Sequence, residues 1–369
     1  MKRFIDIHVP VTACNLECHY CYVALGHTRN TKATPFMYDA KQIGLAFKKE
    51  RWGGICHINM CGLGETLIPP QVVEITKELL AQGHYIMIVT NGTLTKRFEQ
   101  FCEFPEEYKK RLGFKFSYHY LELKKKKMLQ VFYHNVEMVR KAGCSISVEM
   151  TPSDELEELI PEIQKECLGH FGAFCHITIP RDVTKPGYKL QSKHSIEEFS
   201  KIWSVFDSEM FRFKLSTWEQ KRNEFCYAGC WSCLVNIGNG VMTACYNSKI
   251  TQNIIENPEK PIDFVAVGAH CALDHCYNGH SLLALGDIPT IDWCHYRSER
   301  DRIDCRDNSH WLTKEMASFL DERLNDSNNE FNAFEKCINE LKKPKYMATW
   351  YTKKIKSKLG KRLRLHDKQ

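Results

Sequence analysis

Three cysteines stand close together near the start of the chain, in the segment CNLECHYC. Cys14, Cys18 and Cys21 are spaced by four and three residues, and the next cysteine along the chain is Cys56. Thiolates are the ligands that iron–sulfur clusters and other soft metal sites take from proteins. A structural zinc ion normally has four protein ligands, whereas a four-iron cluster with three thiolates keeps one iron open for a further ligand. The spacing therefore predicts an open iron–sulfur cluster, with a structural zinc loop as the alternative.

The size and composition of the chain set the context for these thiols. The chain has 369 residues, of which 43% are hydrophobic and 18 are cysteines. Its first twenty residues lack the apolar core and the cleavage site of a signal peptide, and no run of eighteen apolar residues follows. We therefore expect a cytoplasmic protein in which the thiols stay reduced and clustered cysteines bind metal.

Six short β-like segments alternate with helix-like segments over the first half of the chain. They are residues 4–11, 55–61, 84–90, 114–120, 144–150 and 174–179. Strands that alternate with helices are typical of a parallel α/β sheet. Gly83, Gly143 and Gly169 stand where three of the intervening helices should end.

Several of these strands alternate polar and apolar residues, which predicts a polar inner surface. Side chains two residues apart share one face of a strand. The polar faces carry Asp6, His8, His57, Asn59, Cys61, Ser117, His119, Ser147, Glu149, His176 and Thr178. With its apolar face under the helices and its polar face on the concave side, such a sheet would enclose a wet cavity for a ligand. An antiparallel sheet with one solvated face is the alternative.

The cysteine segment resembles the signature of the radical S-adenosylmethionine (radical SAM) enzymes, because it follows the first strand and carries Tyr20 directly before Cys21. The resemblance implies that the three cysteines bind a 4Fe–4S cluster, that SAM occupies the open iron, and that Tyr20 lies near the adenine. In this family the cluster cleaves SAM reductively, and a 5′-deoxyadenosyl radical takes a hydrogen atom from the substrate. The resemblance also implies an α/β fold with a partial (β/α)6 TIM-like barrel.

The resemblance further implies which residues hold SAM. The family carries Gly-Gly-Glu after its second strand, and this chain has CGLGET there, which puts Gly64 and Glu65 on the last two positions and Leu63 on the first. Without the resemblance, the glycines of this segment only turn the chain after a strand. Asn91, in TNGTL after the third strand, is a further candidate for binding the cofactor.

Two positions on the polar strand faces complete the expected SAM site. Ser117 and Glu149 stand where the family often binds the ribose and the carboxylate of SAM. As ordinary residues of the cavity they would pair with neighbours such as His119. Cys61, His119 and Glu149 are the candidates for catalytic residues, and a packing role is the alternative for Cys61.

A second group of cysteines begins at Cys226. The segment LVNIGNGVMTAC alternates around Gly238-Asn239-Gly240, which is a strong signal for a tight hairpin. The order Cys226, Gly240, Cys245 resembles the opening motif of the SPASM and twitch extensions of radical SAM enzymes. Those extensions carry one or two auxiliary 4Fe–4S clusters.

The resemblance favours one auxiliary cluster, because the dense final cysteine run of the full SPASM pattern is absent from the sequence. The ligands that we expect are Cys226, Cys245, Cys271 and Cys276. The chief rivals are Cys230 and Cys233, and further cysteines of the region are Cys294 and Cys305. A closed zinc site made of the same four thiolates is the alternative.

The positive charge of the chain is concentrated in its last residues. The formal net charge is +6, and residues 342–369 hold eleven Lys or Arg against one acid. Apolar residues recur there every four positions, at Met347, Tyr351, Ile355, Leu359 and Leu363. This pattern predicts a basic amphipathic helix that contacts the inner face of an anionic membrane. A disordered, solvated tail is the alternative, and we do not expect a nucleic acid partner.

These segments predict five regions along the chain. They are a radical SAM partial barrel (1–185), a connecting helix (186–225), a twitch- or SPASM-like subdomain (226–310), C-terminal helices (311–341) and the basic tail (342–369). Because the first strand begins near residue 4, we expect no leader-peptide-binding domain ahead of the barrel.

The function that follows is that of a cytoplasmic radical SAM enzyme of oxidoreductase or maturase type. Its cofactors would be a 4Fe–4S cluster, SAM and an auxiliary 4Fe–4S cluster, and its electron donor a flavodoxin or ferredoxin. A peptide or protein substrate and a sugar or glycan substrate are both open. The alternative is a non-catalytic protein, stabilised by zinc or an iron–sulfur cluster, that acts in binding or electron transfer. Such a protein would form no 5′-deoxyadenosine.

Overall fold

A nine-stranded sheet forms the centre of the molecule. A computed structural model gives the structure of residues 1–30 and 33–366, without the side chains of residues 349, 353 and 355–366. The strands of the first half are β1 (Phe4–Val9), β2 (His57–Gly62), β3 (Tyr85–Thr90), β4 (Leu112–Ser117), β5 (Ser145–Met150) and β6 (His176–Ile177). They lie side by side in chain order, and every pair is parallel. The predicted parallel sheet is therefore confirmed, and the sheet does not close on itself.

Helices connect these strands. They are α1 (Tyr22–Leu25), α2 (Ala40–Ala46), α3 (Gln71–Ala81), α4 (Thr95–Cys102), α5 (Glu106–Lys109), α6 (Tyr120–Lys125), α7 (Leu129–Lys141) and α8 (Ile160–Phe171). Of these, α2, α3, α7 and α8 lie in the segments where helical spacing predicts them. In α3 the apolar spacing of Val72, Ile75 and Leu79 puts all three in the core. The helices thus cover the apolar face of the sheet.

Glycines end two of these helices as predicted, and the third expectation is wrong by one turn. Gly83 and Gly143 both have φ +91 and follow α3 and α7. Gly169 lies inside α8, because the buried Phe171 extends the apolar stripe of that helix. Gly172, with φ +71, ends the helix instead, and a Cβ there would overlap the carboxylate of Asp304.

The two faces of the sheet differ as the alternation predicts. Ile5, Ile7 and Ile58 belong to the large apolar core on the helix side. On the concave side, several buried polar atoms have no hydrogen-bond partner within the described residues. They are both ring nitrogens of His57 and of His176, Asn59 Oδ1 and Ser147 Oγ. Buried polar groups normally bind water or a ligand when no protein group is near, so this face suits a wet cavity.

The C-terminal half of the chain extends the same sheet. After a small hairpin of β7 (Arg181–Asp182) and β8 (Lys189–Leu190), the strands β9 (Ser232–Asn236), β10 (Val241–Thr243) and β11 (Thr251–Asn253) follow. β9 pairs in parallel with β1, and β10 and β11 continue antiparallel. The predicted hairpin between β9 and β10 is thus confirmed, whereas its pairing with β1 was not predicted. The pairing covers the edge of β1, which would otherwise expose unpaired backbone groups.

The remaining helices complete the C-terminal half. They are α9 (Ile196–Trp203), α10 (Glu209–Thr217), α11 (Gly279–Leu282), α12 (Lys314–Asp321), α13 (Leu324–Ser327) and α14 (Ala333–His366). A second apolar cluster packs Phe4 and Met87, on the concave side of the sheet, against residues of α11 and α12. The basic tail lies in α14 as far as His366, but the side chains of Ile355, Leu359 and Leu363 fall outside the described residues. Within the part of the chain that the structure describes, no helix has the length and apolarity needed to cross a membrane.

Candidate functional site

The three-thiol loop, residues 14–21, lies directly after β1 and runs into α1. Cys18 is 9% exposed, and Cys14 and Cys21 are half-buried. The loop folds on itself, because the amide of Leu16 donates to Cys14 Sγ at 3.4 Å and that of Cys21 donates to the carbonyl of Cys18 at 3.1 Å. Burial, followed by the two neighbouring thiols, raises the pKa of Cys18 to about 12. A bound metal would deprotonate such thiols.

The segment after β2 lies against the start of this loop. The amides of Gly64 and Glu65 donate to the carbonyls of Val11 and Ala13, both at 2.9 Å. A Cβ at position 64 would overlap the carbonyl of Ala13, so the close approach requires glycine. The structure therefore brings the predicted SAM-binding segment next to the predicted cluster ligands.

The carboxylate of Glu65 is used inside the protein. Glu65 is 2% exposed and accepts hydrogen bonds from the amide of Leu67 at 2.9 Å, the hydroxyl of Thr90 at 2.8 Å and the amide of Asn91 at 2.7 Å. Burial raises its pKa, and the three hydrogen bonds act against that shift. Glu65 thus ties the end of β2 to the end of β3, and its direct contact with SAM stays a prediction.

Asn91 connects the end of β3 to the three-thiol loop. Its amide nitrogen lies 2.8 Å from Asn15 Oδ1 and 3.7 Å from Cys14 Sγ. Its oxygen accepts from the hydroxyl of Thr93 at 2.6 Å, which in turn accepts from Asn15 at 2.8 Å. Arg29 also stabilises the loop, because its guanidinium donates hydrogen bonds to the carbonyl of Leu16, at 2.7 Å, and to that of Cys14.

Tyr20 and His119 meet at the end of β4. The Tyr20 hydroxyl lies 2.6 Å from His119 Nδ1, with the ring centroids 5.9 Å apart. Burial lowers the pKa of His119 to about 4, so its imidazole is neutral at pH 7 and can accept the phenol proton. The His119 amide donates to the carbonyl of Ser117 at 3.0 Å. Tyr20, Ser117 and His119 are therefore brought together; the pairing of Ser117 with His119 was the alternative that the sequence left open, and that of Tyr20 with His119 was not predicted.

Cys61 lies at the end of β2. Its thiol donates to the carbonyl of Gly62 at 3.3 Å. Burial, followed by the negative charge of Asp6, raises the pKa of Cys61 to about 12. The side chain therefore stays a neutral thiol at pH 7 rather than becoming a nucleophilic thiolate.

Glu149 forms an ion pair that the sequence pattern did not reveal. Its carboxylate contacts the guanidinium of Arg300, which is fully buried. Burial alone would raise the pKa of Glu149, but Arg300, Lys115 and Lys214 hold it below its usual value. An ionised Glu149 does not itself attract a carboxylate, and its contact with SAM stays a prediction. The carboxylate of Glu149 can accept a hydrogen bond from a hydroxyl or an ammonium group.

The four predicted auxiliary ligands are near enough to influence one another's pKa. Burial, followed by the charge of Asp287, raises the pKa of Cys226, and the thiols of Cys245 and Cys276 act in the same direction; Cys271 does so for Cys245 and Cys276. Backbone amides lie against three of the sulfurs and favour their thiolate forms. They belong to Ala228 at Cys226, Asn247 at Cys245 and Asn278 at Cys276. Hydrogen bonds of this kind are typical of iron–sulfur ligands.

The rival cysteines have other neighbours. Arg3 is the charged group that most influences both Cys230 and Cys233. Cys294 donates to Glu299 at 3.4 Å, and Cys305 is exposed. Burial raises the pKa of Asp287 to about 7, and the charge of Asp287 raises the pKa of Cys226. Asp287 also raises the pKa of Cys230 and Cys233, so the choice of Cys226, Cys245, Cys271 and Cys276 as ligands stays a prediction.

The sulfur atoms of neither cysteine group lie as close together as a bound zinc ion would hold them. In residues 1–30 and 33–366, the only three metal-ligand side chains whose donor atoms all lie within 4.8 Å of one another are Asp154, Glu157 and His194. A tetrahedral zinc with bonds of about 2.3 Å holds its sulfurs roughly 3.8 Å apart. Neither group of thiols is drawn in so closely, whereas a four-iron cluster separates its ligands more widely.

Comparisons with known proteins agree with this geometry. Residues 9–163 match the family model of the radical SAM superfamily. No curated protein matches the chain. The structure is similar to anSMEcpe with bound AdoMet, with a TM-score of 0.52 and 16% identity over 92% of this chain and 95% of that one. AdoMet is SAM.

A second similar structure is Streptococcus suis SuiB bound to precursor peptide SuiA. Its TM-score is 0.51, with 16% identity over 71% of this chain and 64% of that chain. The chain thus corresponds to about two thirds of SuiB. At these identities the likeness concerns the fold, which here carries a C-terminal extension as well as the parallel sheet. The family match identifies residues 9–163 as a radical SAM domain, and the shared fold agrees with it; this family implies a 4Fe–4S cluster and SAM.

Proposed function

We propose that the chain cleaves SAM reductively and takes a hydrogen atom from an organic substrate. Cys14, Cys18 and Cys21 would hold the 4Fe–4S cluster. The observation that carries the proposal is the arrangement of the three-thiol loop, which the ends of β2 and β3 hold through Gly64, Glu65 and Asn91.

The chemistry comes from the cofactors. Held by Cys14, Cys18 and Cys21, the cluster together with SAM would supply one-electron reductive cleavage of SAM and hydrogen-atom abstraction. The chain's own residues position these groups. Asn91 directs an amide N–H toward the Cys14 sulfur, and the pair of Tyr20 and His119 fixes the wall of the site beside Cys18.

The buried concave face would orient the substrate and exclude water. Ionised Glu149 is fixed by Arg300 and suits a hydroxyl or an ammonium group of SAM or the substrate. Cys61 keeps its proton at neutral pH. A neutral thiol near a carbon radical can donate a hydrogen atom, so Cys61 is our candidate for a catalytic residue.

We also propose an auxiliary 4Fe–4S cluster at Cys226, Cys245, Cys271 and Cys276. The mutual influence of these thiols and the amides around them support it. Four protein ligands would leave no open iron. The auxiliary cluster would therefore carry electrons rather than bind substrate directly.

The substrate class is inferred from a protein that shares the fold. SuiB, which shares the fold, has been seen with a precursor peptide, and this supports a peptide substrate; a glycan is the second candidate. A cytoplasmic flavodoxin or ferredoxin would supply the electron. The lysines and arginines at the end of α14 support a contact with anionic lipid.

Anaerobic assay of the reconstituted chain with SAM and dithionite tests the proposal. We expect 5′-deoxyadenosine, measured by chromatography, from the wild type. The Cys14→Ala/Cys18→Ala/Cys21→Ala variant should yield none. A wild type that binds SAM with its clusters intact but forms no product would instead favour the non-catalytic alternative.

A further inference from the structure

A narrow cleft beside the auxiliary thiols contains positive charge that the protein does not neutralise. Its walls come from β7, α10 and the segment that leads into α11. Among its lining residues are Arg181, Lys214, Trp218, His275 and His280. The cleft also reaches Cys276, one of the four auxiliary thiols.

The two cations of the cleft lack acidic partners. Among the described side chains, no carboxylate lies within 4 Å of Arg181 or Lys214, whereas Arg300 deeper in the cavity is paired with Glu149. Arg181 donates to the carbonyl of Tyr277, and Lys214 donates to the hydroxyl of Thr178. These acceptors carry no negative charge, so they do not compensate the cationic form of either side chain. Partly buried cations without counter-ions are costly, and a bound anion would remove that cost.

A buried histidine adds hydrogen-bonding capacity to the same cleft. His275 is 3% exposed, and neither of its ring nitrogens has a partner within the described residues. Its ring lies between Trp218, at 4.7 Å, and Tyr277, at 5.0 Å. Nδ1 of His280 is likewise buried without a partner. The cleft therefore presents two cations together with unpaired polar nitrogens.

The position of the cleft connects it to both cysteine groups. Burial lowers the pKa of Arg181, and Tyr22, next to Cys21, and Cys276 act against that shift. For Lys214, Glu149 of the concave face raises the pKa and Arg300 lowers it. Burial, followed by the neighbouring charge of Arg181, lowers the pKa of Lys214 to about 7.

We propose that this cleft binds an anionic group of the substrate, a carboxylate or a phosphate, between Arg181 and Lys214. The proposal rests on the proposed function and specifies the chemistry of its substrate. The cleft has a volume of about 10 Å³, which is the space of one water-sized atom. A terminal anionic oxygen therefore enters it, whereas a ring does not. The planar fork of Arg181 suits either anion.

Binding of small anions to the reconstituted full chain tests this inference. Inorganic phosphate and acetate are titrated at constant ionic strength, and binding is read from the melting temperature. We expect stabilisation of the wild type and at least about a tenfold rise in the midpoint concentration for Arg181→Gln and Lys214→Met. Lys141→Met, an exposed lysine on α7, is the matched control and should behave as the wild type. Arg181→Lys keeps the charge and should retain part of the binding, which also covers a failure of Arg181→Gln to fold.

The two anions distinguish a phosphate group of the substrate from a carboxylate group. Stabilisation by phosphate alone indicates a phosphorylated substrate, and stabilisation by acetate indicates a carboxylate. Unchanged anion binding in both variants would overturn the inference. So would a tenfold loss of SAM affinity, because the cations would then hold the carboxylate of SAM. Formation of 5′-deoxyadenosine by the wild type, measured separately, reports on the proposed function alone.

Discussion

The two cysteine groups are assembled in different ways. Cys14, Cys18 and Cys21 lie on one loop of eight residues, and the neighbouring strand ends hold that loop through hydrogen bonds. The auxiliary thiols begin at Cys226 and end at Cys276, fifty residues apart in the chain, and β9 and β10 between them fold back beside β1. The first group is thus a local feature of the sequence, and the second is a product of the tertiary fold.

This difference separates two roles. In our proposal, the loop with three thiolates leaves one iron position for SAM, and the residues around it hold that cofactor. The four thiolates of the second group would close an auxiliary cluster, which would stabilise the C-terminal half and pass electrons. Substitutions in the first group should therefore remove chemistry, and substitutions in the second should chiefly remove iron.

The largest effect is expected from Cys21→Ala. Without this ligand the SAM cluster should not assemble, and 5′-deoxyadenosine formation should fall by on the order of a thousandfold or more, because the cofactor supplies the chemistry. Iron should fall by about four atoms per chain. Chromatography and iron analysis measure both. Cys102→Ala, on α4, is the control and should keep both values; full activity in Cys21→Ala would contradict the assignment.

Cys276→Ala should separate iron content from SAM cleavage. We expect a loss of about four iron atoms per chain, with SAM cleavage in the absence of substrate reduced by no more than about tenfold. The matched variant Cys233→Ala should keep its iron, since Cys233 faces Arg3 rather than the auxiliary thiols. Loss of iron from Cys233→Ala, with Cys276→Ala unaffected, would reverse the assignment.

Glu65→Gln should weaken the support of the three-thiol loop. The new amide group would face hydrogen-bond donors that now bind a carboxylate, which costs about 1–3 kcal/mol. We expect the melting temperature of the reconstituted protein to fall by roughly 3–6 °C, together with weaker SAM binding. Glu74→Gln, an exposed change on α3, should alter neither. An unchanged melting temperature in Glu65→Gln would show that these hydrogen bonds do not stabilise the site.

Asn91→Ala should have the smallest effect. It removes the N–H that faces the Cys14 sulfur, and loss of such a supporting contact typically costs about tenfold in activity. Iron content should stay that of the wild type. The exposed substitution Asn257→Ala is the control. If Asn91→Ala loses iron, the residue holds the cluster in place and does more than tune it.

The strands and helices of the first half follow from the sequence, because their apolar spacing directly reflects which face is buried. The pairing of β9 with β1 does not, since it joins segments more than two hundred residues apart. The prediction that α8 ends at Gly169 was wrong for a related reason. Phe171 is buried in the core, so α8 continues to Phe171 and ends at Gly172, and local spacing does not reveal this contact.

The same limit applies to the site. The cysteine loop and GLGE are contiguous motifs, so their spacing carries the information. Arg29, Asn15 and Thr93 support the loop through contacts that only the folded chain defines. Arg300 pairs with Glu149 across half of the sequence, and it thereby changes which group Glu149 can bind.

The most direct test of the difference between the two cysteine groups is an electron paramagnetic resonance experiment. The reduced variant Cys245→Ala/Cys276→Ala should keep only the cluster of the three-thiol loop, and its spectrum is recorded with and without SAM. We predict that SAM shifts the g values, because it binds the open iron. Identical spectra, with SAM binding confirmed by equilibrium dialysis, would contradict the claim that the missing fourth cysteine marks the place of SAM.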